Sequence, residues 1–300
     1  MKKITKILVL MLAMVMAMGA FVGCSDKAEE NKNNFGKELM GVTSQLDALN
    51  GLKKGDADIA VIDSVMAGYY MNDTDEFKDY QVLSDIVLAE EKYGIAAKKG
   101  NEALMSKINE AIISLVDTEY KAVAEKYGLA TELLVTKETE NPLEVTEDRS
   151  WDNVAQANKL IIGYTLFAPI AYNEGDGDDA VLKGFDIDLA KAVVAYLNET
   201  YETAIEIEFM VIDWNSKEAL LENGTIDLVW NGMTITPERE AEMVISIPYL
   251  ANKQVAVIAK KDAEKYKSAN YDEFVEKTKD SIIIVEKGSA GEGVVAPVEE

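Results

Sequence analysis

The 300-residue sequence has no histidine, a single cysteine and little positive charge. Without histidine, the chain has neither a Ser-His-Asp nor a Cys-His nucleophile, and it has no histidine-ligated metal site. A single cysteine excludes a disulfide within the chain. Basic residues number 30 against 54 acidic ones, a formal charge of −24, which argues against nucleic-acid binding because phosphates require clustered Lys and Arg. Hydrophobic residues make up 48%, enough for the core of one large or two modest domains.

The N-terminus has the organisation of a secretory signal peptide. A lysine-rich start precedes an apolar run over residues 7–22, which is shorter than the ~20 residues that a membrane-spanning helix needs. The run ends at Phe21-Val22-Gly23-Cys24, which resembles the bacterial lipobox, so Cys24 is expected to carry lipid; the alternative is a buried free thiol. We predict a signal peptide over 1–23 and a lipid-anchored tether over 24–34, with the protein on the outer face of the cytoplasmic membrane.

Helical spacing and short apolar runs alternate along the rest of the chain. The predicted helices cover residues 46–54, 65–71, 101–115 (with Asn101 as cap), 118–127, 185–196, 215–223 and a start at 236–239. The predicted strands cover residues 59–62, 81–87, 93–97, 160–162, 205–211, 226–230, 253–260 and 282–285. This alternation predicts an α/β protein with mainly parallel sheets and a site at the carboxyl ends of the strands. Residues 130–150 lose the periodicity and are predicted to be a linker.

Two stretches of the sequence repeat one pattern. Residues 52–63 and 221–232 each run from a helix through a glycine and an Asp into a buried strand and a polar turn. The pattern predicts two similar α/β lobes, with Asp63 facing residues 231–234 across a cleft. The alternative is coincidence, because such helix-to-strand connections are common.

Arg239 stands out because Arg149 is the only other arginine. It follows the turn 231–236 at a helix start, where Thr236 is the predicted cap and Pro237 takes the first helical position. Free N–H groups and the helix dipole favour an anion there, and a guanidinium fork fits a carboxylate. The alternative is a surface arginine paired with Glu238 or Glu242.

Three aromatic residues lie near predicted strand ends. We expect Phe167 and Trp214 to line the cleft, where they can stack on a ligand, and Trp230 to be partly buried. For any single aromatic residue, the alternative is a place in the core. No metal site or cofactor is predicted.

Several motifs together resemble the extracellular solute-binding proteins of family 3. The stretches 184–190, 213–214, 231–239 and 247–249 are similar to the first half of that family, and 285–292 is similar to its second-lobe ligand loop. The stretches 55–63 and 91–96, with the helices up to residue 128, are similar to its second half. The resemblance implies a type II periplasmic-binding-protein fold, in which two α/β lobes are joined by a two-stranded hinge.

The halves of the family occur here in reverse order, which indicates a circular permutation. The predicted first lobe is 88–251, with the linker 130–150 inside it, and the second lobe combines 35–87 and 252–300. New ends would then lie inside the second lobe, and the old ends would be joined through the linker. The alternative is a fragment of a tandem array whose halves pair with neighbouring chains.

The resemblance also implies roles for individual residues. Arg239 would clamp the α-carboxylate of an amino acid, and Asp63 would hold its α-ammonium. The full set of implied ligand contacts is Asp63, Phe167, Trp214, Asn231, Gly232, Thr234, Arg239, Ser289 and Ala290, the last in place of a common hydroxyl residue. A site that dehydrates a zwitterion must supply an opposite charge to each end.

The implied function is binding of a polar amino acid, or a close analogue, outside the cell and its delivery to the permease and ATPase of an ABC transporter. The implied partners are therefore the free amino acid and that transporter, with the membrane contacted only through the lipid anchor, and the protein is not expected to be an enzyme. The alternatives are an amino-acid sensor without a transport role, an acidic protein that interacts with the cell wall, and a dehydratase-type enzyme on the same fold.

Overall fold

The computed structural model describes residues 34–143, 147–175 and 177–296, and the side chains of Asp73 and Asp178 are outside this description. The predicted signal peptide and Cys24 lie outside the described residues. None of the described helices has the length and apolar character that crossing a membrane requires.

The described part of the chain alternates strands and helices, which confirms the predicted α/β class. The strands are β1 (Glu38–Val42), β2 (Ile59–Asp63), β3 (Tyr80–Val82), β4 (Ala89–Lys98), β5 (Lys159–Tyr164), β6 (Tyr172–Glu174), β7 (Val181–Lys183), β8 (Glu206–Val211), β9 (Leu228–Thr234), β10 (Met243–Ile245), β11 (Leu250–Ala259) and β12 (Ile282–Glu286). The helices are α1 (Gln45–Lys54), α2 (Ser64–Gly68), α3 (Glu102–Ser114), α4 (Glu119–Lys126), α5 (Ser150–Ala157), α6 (Phe185–Tyr201), α7 (Lys217–Glu222), α8 (Pro237–Glu242), α9 (Ala263–Tyr266), α10 (Tyr271–Thr278) and α11 (Ala290–Val295).

Ten of these strands form one sheet in the order β1-β12-β2-β11-β4-β9-β5-β8, with β3 beside β11 and β10 beside β4. Each flank is parallel: β1, β12 and β2 on one side, and β9, β5 and β8 on the other. The long strands β4 and β11 between them are antiparallel to each other and to the flanks. The prediction of mainly parallel sheets is therefore right for the flanks and wrong for the centre, where two strands cross from one flank to the other.

The strand predicted over residues 81–87 is shorter in the structure and ends at Val82. The chain then turns, with the N–H of Ile86 bonded to the carbonyl of Leu83 at 3.3 Å, and rejoins β11 through the N–H of Leu88. The apolar residues that suggested a strand, such as the buried Leu83 and Ile86, serve the core instead.

The start of α3 is capped by the segment that the sequence predicts as a linker. Asn101 occupies the cap position but makes no capping bond through its side chain, contrary to the prediction. Instead, the N–H groups of Ala103 and Leu104 donate to Asp148 (2.8 Å) and Ser150 (2.9 Å). The segment 130–150 is thus bonded to the first lobe of the prediction at its described C-terminal part.

Strands β2 and β9, the innermost strands of the two parallel flanks, are buried along their whole length. Trp230 on β9 is 1% exposed, so the expectation of partial burial is wrong: its strand lies inside the sheet and both faces are covered. The carboxyl ends of β2 and β9 carry Asp63 and residues 231–234, and these two strand ends position the candidate site.

Candidate functional site

A small cavity lies between the carboxyl ends of β2 and β9 and encloses about 20 Å³, room for about one water molecule. Its lining includes all nine residues that the sequence predicts as ligand contacts. The lining residues are Gln45, Asp63, Thr165, Phe167, Trp214, Asn231, Gly232, Thr234, Arg239, Glu286, Ser289 and Ala290. Chain segments far apart in sequence therefore meet at one place, while the role of each residue towards a ligand stays a prediction.

Asp63 ends β2 and is 4% exposed. Its carboxylate accepts hydrogen bonds from the side-chain amides of Gln45, Asn252 and Gln254, and its N–H donates to Gln45 Oε1 at 2.9 Å. Burial and the charge of Glu91 raise the pKa of Asp63 to about 7, and the amide hydrogen bonds oppose this rise. Among the described residues, no Lys or Arg nitrogen lies within 4 Å of this carboxylate. Its protein partners are therefore neutral amide groups, and a positive charge opposite it would have to come from a bound molecule.

The amides of β11 join Asp63 to a second carboxylate, that of Glu91 on β4. Asn252 and Gln254 each donate to Glu91 Oε2, at 2.9 and 3.0 Å, as well as to Asp63. The hydroxyl of Thr234 donates to the same Glu91 oxygen at 3.0 Å. The two strands that connect the flanks therefore contribute directly to the polar network of the cavity.

Arg239 lies in the first turn of α8, which begins as predicted: Thr236 accepts from the N–H of Arg239, and Pro237 takes the first position. The guanidinium donates from Nη1 to the carbonyl of Thr234 at 2.7 Å and from Nη2 to the carbonyl of Gly288 at 3.1 Å. It thus spans from β9 to the loop after β12.

Nearby acidic residues do not pair with Arg239. Among the described carboxylates, none lies within 4 Å of its guanidinium, so the alternative pairing with Glu238 or Glu242 is not found. Burial lowers the pKa of Arg239, while the charges of Glu218 and Glu91 raise it. Two of the five guanidinium donors bond to carbonyl groups, which leaves a forked cation with spare donors at the cavity wall.

Phe167 and Trp214 line the cavity and are also buried in the hydrophobic core, so their stacking on a ligand stays a prediction. Gly232 has a φ of +61°, and a Cβ there would come within 2.8 Å of Phe167 and 3.0 Å of Tyr93. Glycine therefore lets the carboxyl-terminal part of β9 pass directly beside the Phe167 ring. Lys217 lies 4.9 Å from the centroid of the Trp214 ring.

The remaining polar residues of the lining hold the walls in shape. The side-chain amide of Asn231 hydrogen bonds to Thr165 at 2.7 Å. Ser289 caps α11 by accepting from the N–H of Glu292, and its hydroxyl donates to the carbonyl of Glu286. Because these side chains hydrogen bond to other groups of the protein, they stabilise the backbone that forms the cavity wall.

Asp186 supports the site from behind β9. Its carboxylate accepts from the N–H of Gly232 at 2.7 Å and from the hydroxyl of Tyr249 at 2.8 Å. Complete burial raises the pKa of Asp186 to about 7, while the hydrogen bonds from these two groups oppose the rise. Asp186 therefore fixes the turn that carries Gly232 without itself lining the cavity.

Within the residues described, no group of three or more acidic or cysteine side chains is arranged to hold a metal ion. The chemistry of the cavity is therefore that of carboxylates, amides, hydroxyls and one guanidinium enclosed by aromatic rings. Such a set can bind a small molecule through charge and hydrogen bonds.

Comparison with known proteins finds a similarity over part of the chain. Residues 160–290 match the family model described as bacterial extracellular solute-binding proteins, family 3. This region of the chain is therefore similar to that family, the one that the sequence motifs resemble.

The relatives that the chain matches have names that refer to amino acids. It is 37% identical over 107 residues to the arginine-binding extracellular protein ArtP of Bacillus subtilis (strain 168), an alignment that covers 35% of this chain and 37% of that protein. It is 35% identical over 94 residues to a probable histidine-binding protein of Neisseria gonorrhoeae, covering 31% and 32% of the two chains. A solved polar amino acid ABC uptake transporter substrate binding protein from Streptococcus thermophilus is 40% identical, with a TM-score of 0.27, over 32% of this chain and 33% of that one. The chain thus spans about a third of the length of the curated relatives it matches.

Proposed function

We propose that this protein binds a polar amino acid, or a close analogue, outside the cell and delivers it to the permease of an ABC transporter. The observation that carries the proposal is the meeting of Asp63 and Arg239 at one enclosed cavity. Relatives that match about a third of this chain are named as binding proteins for amino acids, which supports the same ligand class.

The two ends of an amino acid match the two charged groups of the cavity. Arg239 offers a rigid fork to the α-carboxylate, with Thr234 and Ser289 beside it. Asp63 and the carbonyl of Gly232 accept from the α-ammonium, and the rings of Phe167 and Trp214 flank the side chain. Each charge-assisted hydrogen bond contributes about 1.5–3 kcal/mol, so a few of them reach micromolar affinity.

Ligand entry requires the walls of the cavity to separate, because about 20 Å³ is far smaller than any amino acid. Asp63 lies on the flank of β1, β12 and β2, whereas Arg239 follows β9 on the other flank. We propose that the flanks move about β4 and β11 and that only the closed form makes both contacts. The ligand then shifts the population towards the closed form, which the permease recognises.

We also propose that the chain is a circularly permuted type II periplasmic-binding protein. The lobes would be residues 88–251, including the segment 130–150, and residues 35–87 combined with 252–300. The sheet order supports this division, because β2 from the N-terminal segment lies between β12 and β11 from the C-terminal one. Size-exclusion chromatography with light scattering tests it: a ligand-binding monomer is expected, whereas an obligate dimer would indicate lobes exchanged between chains.

Anchoring through lipid on Cys24 is proposed from the sequence motif and places the protein on the outer face of the cytoplasmic membrane. The substitution Cys24→Ala should release the exported protein from the membrane fraction. Retention of this variant in that fraction would contradict the lipid anchor.

Binding itself is tested by a thermal-shift panel of the common amino acids on the purified protein, followed by calorimetry on the ligands that raise the melting temperature. Asp63→Asn should weaken binding at least tenfold, because it removes the charge that faces the ammonium. The exposed Asp152→Asn is the control and should bind as the unchanged protein does. A panel in which no amino acid binds would overturn the proposed function.

A further inference from the structure

The cavity contains a third charged side chain that a simple zwitterion does not need, that of Glu286. This residue ends β12, is 5% exposed and lines the cavity beside Asp63. Among the described residues, no Lys or Arg nitrogen lies within 4 Å of its carboxylate. Ionising a buried carboxyl without an ion pair is costly, so the ionised form of Glu286 requires a cationic partner at the cavity.

Groups from each neighbouring element face Glu286, and none of them neutralises it. Gln45 of α1 offers an amide, while Asp63 of β2 and Asp213 before α7 add negative charge. Lys217 of α7 is the nearby cation, but its ammonium pairs with Glu218 at 2.9 Å. The protein therefore surrounds Glu286 with one amide, two carboxylates and one cation that is already paired.

The charges at the cavity do not balance for a neutral ligand. Asp63 and Glu286 contribute two carboxyl groups and Arg239 one cation. An amino acid with an uncharged side chain uses Asp63 and Arg239 and leaves Glu286 unmatched. An amino acid whose side chain is a cation fills the same two contacts and gives Glu286 its opposite charge.

We propose that Glu286 determines specificity at this site and that the ligand is an amino acid with a positively charged side chain, an ammonium or a guanidinium. The inference rests on the proposed function and refines its ligand class. Glu286 and Asp63 both line the cavity at the ends of the adjacent parallel strands β12 and β2, so one carboxylate can face the side-chain cation and the other the α-ammonium.

This arrangement also links binding to protons. Burial and the neighbouring Asp63 raise the pKa of Glu286 to about 8, so without a ligand this carboxyl retains a proton at neutral pH. A cation binds the ionised form, so its arrival expels that proton. Affinity for a cationic ligand should therefore rise with pH up to about 8 more steeply than affinity for a neutral one.

L-arginine and L-citrulline are the matched ligands for the test, because they have nearly the same shape and differ in charge. Calorimetry on the purified protein at pH 8 should show arginine binding at least tenfold more tightly than citrulline. The variant Glu286→Gln should reduce that ratio at least tenfold while citrulline still binds. Glu222→Gln makes the same change of charge on the surface, beside Lys98, and should leave the ratio unchanged.

A second measurement needs no variant and stands even if Glu286→Gln does not fold. Calorimetry at pH 7 in phosphate and in Tris, which differ in ionisation enthalpy, counts the protons released on binding. Arginine should release more protons than citrulline.

The outcomes separate the two proposals. Binding of neutral amino acids without preference for arginine overturns the role of Glu286 alone, as does a ratio that changes less than threefold in Glu286→Gln or equal proton release for both ligands. Absence of binding to any amino acid overturns the proposed function and this inference together.

Discussion

Removal of the guanidinium of Arg239 should abolish ligand binding, and the structure sets the size of the effect. In Arg239→Ala the two bonds of the fork to a ligand carboxylate are lost, each worth about 1.5–3 kcal/mol. A loss of about 3–6 kcal/mol corresponds to an affinity reduced by ~10²–10⁴-fold. Ionised carboxylates near the cavity, such as that of Glu91, would then repel the ligand carboxylate, so the upper part of this range is expected.

Arg239→Lys separates charge from geometry. An ammonium keeps the positive charge but lacks the planar fork, so it cannot span from Thr234 to Gly288 and bind a carboxylate with two parallel bonds. Its affinity should fall between those of the unchanged protein and the alanine variant, at least tenfold below the former. Calorimetry with the best ligand of the thermal-shift panel measures both variants.

Arg149 provides the matched control, since it is the only other arginine. Its side chain is 67% exposed and lies 3.6 Å from Asp152, and Arg149→Ala should leave affinity unchanged. Melting curves of each variant confirm that it is folded. If Arg239→Ala remains folded and binds the ligand with an affinity within a few-fold of that of the unchanged protein, Arg239 does not bind the ligand carboxylate.

Three further predictions concern stability. In urea denaturation, Gly232→Ala should lower the free energy of unfolding by about 1–3 kcal/mol more than Gly224→Ala does. Both glycines have a positive φ, but of the two only Gly232 has a neighbour, Phe167, with which an added Cβ would collide. Equal losses in the two variants would exclude the steric cause. Ser150→Ala removes a cap from α3 and should cost about 1 kcal/mol, and a loss below 0.3 kcal/mol would show that the cap is redundant. Because the pKa of Glu286 is raised to about 8, the folded state binds more protons than the unfolded state between pH 5 and pH 8. The melting temperature without ligand should therefore fall from pH 5 to pH 8.5, and Glu286→Gln should make this fall smaller. A melting temperature that rises over this range would contradict the prediction.

Short-range signals in the sequence drew attention to Arg239 and Asp63, whereas Ser289 and Ala290 were expected at the site only from the resemblance to the family. The turn after β9, the cap Thr236 and Pro237 define the start of α8, and a single arginine there is conspicuous. Asp63 could be placed opposite because a repeated helix-to-strand pattern indicated an equivalent strand end. The structure brings both to the predicted cavity.

Residues supplied by long-range packing were not predicted. Gln45 begins α1 and reaches Asp63, while Asn252 and Gln254 lie on β11, where alternation indicates only a strand. Glu286 stood within a motif that was quoted, but nothing in the sequence shows that its carboxylate is buried without an ion pair. Burial is a property of the assembled sheet, and that is the information a linear pattern lacks.

The centre of the sheet was mispredicted for a related reason. Alternating helices and strands indicate parallel pairing for neighbours joined by a helix, and this holds in both flanks. Strands β4 and β11 are also followed by helices, α3 to α5 and α9 to α10, yet they run antiparallel to the flanks, so the alternation of helices and strands alone does not give their direction. Short strands such as β1 and β10 were missed because few residues carry their signal.

The position of the site at strand ends explains why the order of segments along the chain can vary. Asp63, Gly232 and Glu286 each lie at or near the carboxyl end of a strand, and the order of strands in the sheet sets their positions in space. The connections between strands need only be long enough to join one strand to the next, and lengthening a connection costs little entropy. In the proposed permutation, the added connection is 130–150, and its end is used for structure, since Asp148 and Ser150 cap α3. A rearranged chain of this kind keeps the pairing of its strands and therefore keeps the geometry of the cavity.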